Sequence, residues 1–140
     1  MRKDKIIELL NFHRQFYRTI RSDLQQIYGS AINGNEFGVL RILHNEGPQK
    51  ASAISQELKV SASHITNVTD ILVKKGYITR RRTENDRRVV EITLTDEGEE
   101  LYVKLAEKRA EYFNTQFSIL SEEELSLFNE LYKKLLADWK

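Results

Sequence analysis

The chain has 140 residues, of which 40% are hydrophobic and 31% charged, a composition typical of one domain with a moderate core. It has no cysteine, which excludes disulfides and Cys-ligated zinc, and no stretch approaches the roughly 20 apolar residues that a membrane span requires, so we expect a cytoplasmic protein without a membrane partner. The net charge is only +1, but residues 59–90 carry eight Lys and Arg against three Asp and Glu, and this basic middle indicates a local anion-binding surface.

The first predicted helix covers residues 4–28, where mostly apolar residues recur at alternating steps of four and three, the spacing of a helix seam. The seam consists of Ile6, Leu10, His13, Tyr17, Ile20, Leu24 and Ile27. The polar segment 33–35 interrupts the pattern. A second helix is predicted from Glu36 to Asn45, where Gly47 and Pro48 stop it.

Two short helices joined by a tight turn are predicted next. The first covers residues 51–58, and residues 59–60 form the turn. Ser61 is a favourable N-cap for the second helix, which extends to Lys75, and its exposed positions carry short polar side chains. The core-facing candidates of this second helix are Ile65, Val68, Ile71 and Leu72.

A basic β-hairpin follows, predicted from two β-prone runs, Tyr77–Arg82 and Val89–Leu94, joined by a polar tip. Its arginines are Arg80, Arg81, Arg82, Arg87 and Arg88. Arginine suits phosphates and the narrow minor groove of DNA. A helix-turn-helix followed by a basic hairpin is the plan of a winged helix that reads DNA. The alternative is that the polar helix face and the charged hairpin are ordinary solvated surfaces.

Both chain ends supply seam-spaced helices. Thr95 is predicted to cap a helix through about Phe117, and Ser121 and Glu124 form a capping box for the last helix. The later seam positions are Val103, Ala106, Ala110, Phe113, Phe117, Leu120, Leu125, Phe128, Tyr132, Leu135 and Trp139. We interpret the terminal helices as the intersubunit bundle of a homodimer. The alternative is that they pack only within one chain.

Four motifs in this order carry a family resemblance: Val60-Ser61, Leu72-Val73-Lys74-Lys75-Gly76-Tyr77-Ile78, Asp86-Arg87-Arg88 and Ile92-Thr93-Leu94-Thr95-Asp96-Glu97-Gly98. With them, residues 47–98 resemble the winged helix of the MarR family of transcriptional regulators. The resemblance implies one domain over residues 1–140 that is mostly α with a small β-hairpin wing. The winged helix-turn-helix would cover about 35–94, with the helix-turn-helix at 51–75, the wing at 77–94, and dimerisation helices at about 4–28 and 96–139.

The resemblance also implies a homodimer that binds a pseudo-palindromic, double-stranded DNA operator. The recognition helices would enter major grooves and the wings the flanking minor grooves. Carried over residue by residue, the groove-facing set is Ser61, Ser63, His64, Thr66 and Asn67. The wing tip is Asp86, Arg87 and Arg88. The contacts to the DNA backbone come from Arg80 and Arg82.

Four positions depart from the family pattern. Lys50 replaces a capping Ser or Thr, and Lys59 replaces a turn glycine, where a left-handed Lys would cost about 1 kcal/mol. His64 stands where a small residue is frequent, and Asn67 stands where an Arg is frequent. These last two residues leave the operator sequence open.

Proteins that resemble this family often release DNA when a small aromatic or anionic effector enters the cleft between the bundle and the winged helix. The candidate effector-binding residues are His13, Tyr17, Arg41 and His44. The alternative for a histidine in a seam is a core or interface residue. The three histidines are not clustered and there is no cysteine, so we expect no metal site, and we expect no cofactor.

The leading hypothesis is therefore a DNA-binding transcriptional regulator, most simply a repressor. The alternative is a winged helix that serves protein–protein interaction without DNA binding, which the cationic pair Arg87 and Arg88 disfavours. An enzyme is not expected, because the sequence has no Ser/His/Asp or Cys/His arrangement and no glycine-rich phosphate loop.

Overall fold

Six α-helices, one short 3-10 helix and three β-strands build the protein, and the computed structural model describes all 140 residues. In chain order they are α1 (Arg2–Tyr28), α2 (Gly34–Glu46), β1 (Gln49–Lys50), α3 (Ala51–Leu58), α4 (Ala62–Lys74), β2 (Ile78–Arg82), β3 (Val90–Leu94), α5 (Asp96–Gln116), the 3-10 helix (Phe117–Ile119) and α6 (Glu122–Ala137). The predicted class, mostly α with a small hairpin, is confirmed. The chain forms two compact units, Met1–Glu107 and Lys108–Lys140, and α5 runs across their boundary.

The core of the first unit lies between α2, α3, α4 and the sheet. Its fully buried apolar side chains are Val39, Leu40, Ile54, Ile65, Leu72, Ile78 and Ile92. Burying each such side chain contributes about 1.5–3 kcal/mol. On α4 one predicted core position is wrong, because Ile71 is 44% exposed and Thr69 is buried instead. The Thr69 hydroxyl is satisfied there, since it donates to the carbonyl oxygen of Ile65 at 2.8 Å.

The start of α2 is fixed by a capping box. Asn33 Oδ1 accepts from the Glu36 amide at 2.9 Å, and Glu36 Oε1 accepts from the Asn33 amide at 3.1 Å. This cap starts the helix at Gly34, earlier than the predicted Glu36. Glu36 is 3% exposed, and its other oxygen accepts from Lys75 Nζ at 2.9 Å. Lys75 also donates to the carbonyl oxygen of Ala31 at 2.9 Å, so the end of α4 is tied to the turn between α1 and α2.

The helix-turn-helix agrees closely with its prediction. Lys50 precedes α3 and gives it no side-chain cap, as its identity suggested. Lys59 adopts the left-handed conformation, with φ 56° and ψ 47°, and is the one non-glycine residue with positive φ. Ser61 Oγ accepts from the amide of His64 at 3.1 Å, which caps α4 as predicted.

The hairpin belongs to a sheet of three antiparallel strands in the order β1-β3-β2. In the hairpin Ile78 lies opposite Leu94, and Arg82 lies opposite Val90. The strand β1, paired through Gln49 to Ile92, was not predicted. Two residues are too few to show a strand period, so only the tertiary pairing reveals this strand.

The base of the hairpin is closed where α5 begins. Thr95 Oγ1 donates to the carbonyl oxygen of Gly76 at 2.7 Å and accepts from the Gly98 amide at 3.0 Å. The Thr95 amide donates to the carbonyl oxygen of Tyr77 at 3.1 Å. Gly98 is buried, and a Cβ at this position would overlap that same carbonyl oxygen. The chain thus enters and leaves the hairpin at one tightly packed point.

The second unit consists of the end of α5, the 3-10 helix and α6. The predicted capping box of α6 is confirmed, since Ser121 Oγ accepts from the Glu124 amide at 3.1 Å and Glu124 Oε1 accepts from the Ser121 amide at 2.9 Å. No residue of α6 is buried within the chain. No helix in the protein combines the length and the apolar content that crossing a membrane requires.

We expect Gly98→Ala to lower the free energy of unfolding by about 1–3 kcal/mol, because the added methyl group overlaps a backbone carbonyl that cannot rotate away. Gly34→Ala is the matched control, since nothing lies within 4 Å of a Cβ at that position. Urea unfolding followed by circular dichroism measures both variants. A Gly98→Ala protein as stable as the Gly34→Ala protein would contradict the close packing described at this point.

Candidate DNA-binding surface

The helix α4, which we call the recognition helix, presents small polar side chains along its N-terminal half. Ser61, Ser63, Thr66 and Asn67, all predicted to face a groove, are exposed. The buried residues Ile65, Val68, Thr69 and Leu72 fix the opposite face of the helix to the core. This half of the helix therefore has one anchored side and one accessible side.

The exposed groups keep unused hydrogen-bonding capacity. The Thr66 hydroxyl donates to the carbonyl oxygen of Ala62 at 3.0 Å, so its oxygen can still accept a hydrogen bond. The Asn67 side chain makes no hydrogen bond within the chain and keeps both a donor and an acceptor. That pair matches the N6 and N7 edge of adenine in the major groove.

His64 differs from the rest of the predicted groove-facing set. The residue is only partly exposed, and its Nε2 is buried without a hydrogen-bond partner. One edge of the imidazole is thus turned toward the protein. Only the remaining part of the ring is accessible to a partner molecule.

The tip of the wing, residues 83–89, is held by Thr83 and Asp86. Thr83 Oγ1 donates to the carbonyl oxygen of Asp86 at 2.6 Å, and the Thr83 amide donates to the carbonyl oxygen of Val89 at 2.9 Å. Asp86 Oδ1 accepts from the backbone amide of Arg88 at 3.0 Å and from Arg88 Nε at 3.2 Å. The carboxylate therefore holds the guanidinium through Nε alone. The Arg88 side chain is 93% exposed, and both of its terminal nitrogens point to solvent unpaired.

The arginines of the wing fall into two groups. Arg81 and Arg87 are exposed and their guanidinium groups make no hydrogen bond within the chain. Arg82 Nη1 donates to the carbonyl oxygen of Arg87 at 2.6 Å, across the tip. Arg80 Nη2 donates to Thr69 Oγ1 at 2.8 Å and to Asp70 Oδ1 at 2.5 Å on the recognition helix. The sequence predicted that Arg80 and Arg82 contact the DNA backbone, and it gave no indication of these partners within the chain.

The four candidate effector-binding residues lie on two helices. His13 and Tyr17 are exposed on α1, Arg41 is partly exposed on α2, and no hydrogen bond joins the two pairs. His44 Nδ1 lies 2.6 Å from Glu99 Oε1, and its ring packs on Tyr102 with centroids 4.6 Å apart. The sequence offered no signal for these two α5 partners, because they are distant from His44 in the chain.

An aromatic stack connects this group to the rest of the first unit. The rings of Tyr28 and Phe37 have centroids 4.8 Å apart, and those of Phe37 and Tyr102 are 5.3 Å apart. The stack thus joins the end of α1, the start of α2 and the first half of α5.

No group of three or more His, Cys, Asp or Glu side chains is placed to hold a metal ion.

Comparisons of sequence and of structure with known proteins lead to the same kind of protein. A sequence model of the MarR family matches residues 32–90. The HTH-type transcriptional regulator YpoP of Bacillus subtilis, itself uncharacterized, is 38% identical over 96% of this chain and 96% of its own length. A MarR family protein from Bacillus stearothermophilus has a similar structure, with a TM-score of 0.83 at 24% identity over 99% of this chain and 97% of that one. A MepR-like protein solved with pseudoligands has a TM-score of 0.66 at 29% identity, covering 94% and 92%.

The family match falls on the helix-turn-helix and most of the wing, the same elements that carry the exposed polar and basic groups. The similarity to YpoP extends the relationship along nearly the whole chain. The relatives are named as transcriptional regulators, not as enzymes. The chain therefore belongs to the MarR family of helix-turn-helix transcriptional regulators and carries that family's DNA-binding winged helix.

Proposed function

We propose that this protein is a repressor that binds a pseudo-palindromic operator as a homodimer and is released from it by a small-molecule effector. One observation carries the proposal: a recognition helix with an anchored side and a polar accessible side lies in the same unit as a wing tip with exposed guanidinium groups. Repression follows most simply, because a dimer bound over a promoter occupies DNA that the polymerase needs.

In the proposed complex the recognition helix enters the major groove. Asn67 reads a base edge with its free amide, and Thr66 accepts from an exocyclic amino group of a base. Ser61 and Ser63, whose hydroxyl oxygens lie 3.2 Å apart at the helix N-terminus, bind a phosphate of the groove wall. His64 contributes only through the accessible part of its ring.

The wing tip enters the flanking minor groove in this proposal. Arg87 and Arg88 supply the cationic groups, which are attracted by the enhanced negative potential of a narrow groove. Asp86 orients Arg88 through Nε and leaves its two terminal nitrogens for DNA. Arg82 braces the carbonyl oxygen of Arg87 and thereby supports the tip, in addition to the phosphate contact expected from the sequence.

Homodimer formation is supported by the apolar side chains that each terminal helix leaves exposed. Those of α1 are 47–64% exposed: Ile6, Ile7, Leu9, Leu10, Phe12, Phe16 and Tyr17. Those at and after α6 are 48–75% exposed: Leu127, Phe128, Leu131, Tyr132, Leu135, Leu136 and Trp139. Monomeric proteins rarely leave such contiguous apolar faces in water, so a second copy of the chain is the proposed cover.

Effector binding is proposed at His13, Tyr17, Arg41 and His44, with His44 as the most informative member. An anionic effector would compete with Glu99 for the His44 imidazole, and an aromatic effector would extend the stack that ends on that ring. The MepR-like relative solved with pseudoligands supports a ligand-binding role in general terms.

Selection from a random DNA library tests the central proposal. The purified protein should enrich one inverted-repeat sequence, and log affinity for it should fall with log salt by roughly 0.9 per neutralised phosphate. Fluorescence anisotropy at several salt concentrations measures the slope. Failure to enrich any sequence, with binding no tighter than to random DNA, would favour the protein–protein interaction module instead.

The wing role predicts that Arg88→Ala weakens binding to the selected duplex by about tenfold or more, because it removes a charge-assisted contact worth about 1.5–3 kcal/mol. Arg18→Ala is the control, since it removes the same charge from an exposed position on α1. Equal affinities for the two variants would exclude the wing tip from the DNA interface.

The dimer predicts a solution mass of twice the 16.4 kDa of one chain, measured by light scattering. Leu135→Arg should dissociate the dimer, because it places a charge in the apolar face of α6. Ser126→Arg places the same charge on the opposite, polar face of that helix and should leave the mass unchanged. A Leu135→Arg protein that keeps the double mass would show that this face is not the interface.

A further inference from the structure

Arg80 makes the only side-chain hydrogen bonds between the hairpin and the recognition helix. From β2 its Nη2 donates to Thr69 Oγ1 at 2.8 Å and to Asp70 Oδ1 at 2.5 Å. The remaining contact between these elements consists of apolar packing and of the backbone bond from the Tyr77 amide to the carbonyl oxygen of Leu72 at 3.1 Å. Apolar packing is not directional, whereas a bonded guanidinium has a fixed plane.

Through Thr69, Arg80 is connected by hydrogen bonds to the backbone of the recognition helix. Thr69 is 1% exposed, and its hydroxyl hydrogen is donated to the carbonyl oxygen of Ile65 at 2.8 Å. Its oxygen is thereby oriented to accept from Arg80. The bonded turn of the helix is the one that carries the exposed residues Thr66 and Asn67, so Arg80 is joined to the part proposed to read bases.

On the side of the wing, Arg80 belongs to the face of β2 that extends to the tip. Side chains alternate along a strand, so Ile78, Arg80 and Arg82 of β2 share one face. Ile78 is buried in the core, Arg80 reaches the recognition helix, and Arg82 reaches the carbonyl oxygen of Arg87 at the tip. One face of one strand thus connects the helix to the tip in two bonded steps.

The charge of Arg80 is already compensated. Its side chain is 36% exposed, and the carboxylate that it contacts, that of Asp70, is 50% exposed. Because the Arg80 side chain is only 36% exposed, against 93% for Arg88, its paired guanidinium is less open to a phosphate than that of Arg88. Arg81, the next residue, has no hydrogen-bonded partner and lies on the opposite face of the strand.

We propose that Arg80 is a positioning residue that fixes the angle between the recognition helix and the wing, with Asp70 as its partner, so that both elements engage the same operator at once. This inference rests on the proposed DNA-binding function. It assigns to Arg80 a role different from the DNA-backbone contact expected from the sequence. The readout that separates the two roles is selectivity, because a phosphate contact strengthens binding to every sequence equally.

The test compares Arg80→Gln, Asp70→Asn, and the exchanged protein Asp70→Arg/Arg80→Asp, with Arg81→Gln as the charge-matched control. Each is titrated with the selected duplex and with a random duplex at several salt concentrations. We expect Arg80→Gln to lower the ratio of the two affinities by about tenfold, within the range of coupling seen for residues in contact. The salt slope should be unchanged, and the exchanged protein should recover most of the ratio.

Two results would overturn the inference while leaving the DNA-binding proposal intact. Equal weakening on both duplexes, with the slope reduced by about one and no recovery on exchange, would make Arg80 a phosphate ligand. A lower melting temperature with unchanged selectivity would show that the contact stabilises the fold and does not position the wing. A wild-type protein that prefers no duplex would instead remove the proposed function itself, and this inference with it.

Discussion

The whole DNA-reading half of the protein depends on one close approach, that of Gly98 to the backbone of Tyr77. There the first turn of α5 lies directly on the residue with which the chain enters the hairpin. Thr95 adds hydrogen bonds in both directions, to Gly76 before the hairpin and from Gly98 after it. Because the two ends of the hairpin are fixed to each other, the wing extends from a closed base, and α5 starts from a position defined by the same contact.

A second constraint acts at the C-terminal end of the recognition helix. The carboxylate of Glu36 is buried, and a buried charge is tolerated only when it is paired and hydrogen-bonded. Both of its oxygens are used, one by the Asn33 amide and one by Lys75. Since Lys75 follows α4 directly, the recognition helix is held at its C-terminal end by a polar contact and along its length by apolar packing.

Local signals in the sequence predicted most of the elements, whereas contacts between distant residues set the rest. Ser61, Thr95 and Ser121 marked helix starts correctly, because a capping residue acts within its own turn. The pairing of β1, the burial of Thr69 in place of Ile71 and the partners of His44 depend on tertiary placement, which no local pattern contains. For the candidate site, the sequence indicated which side chains are polar or basic. It could not indicate which arginines are already occupied within the chain.

The order of the strands has a consequence for behaviour in crowded solution. With β3 in the centre, the sheet has two outer edges, and an open edge is a template on which another chain can add a strand. One edge, β1, is only two residues long and follows Pro48, which has no amide hydrogen to donate. The other, β2, carries the exposed charges of Arg81 and Arg82, so two such edges repel each other. The basic composition of the wing therefore also protects the protein against edge-to-edge aggregation.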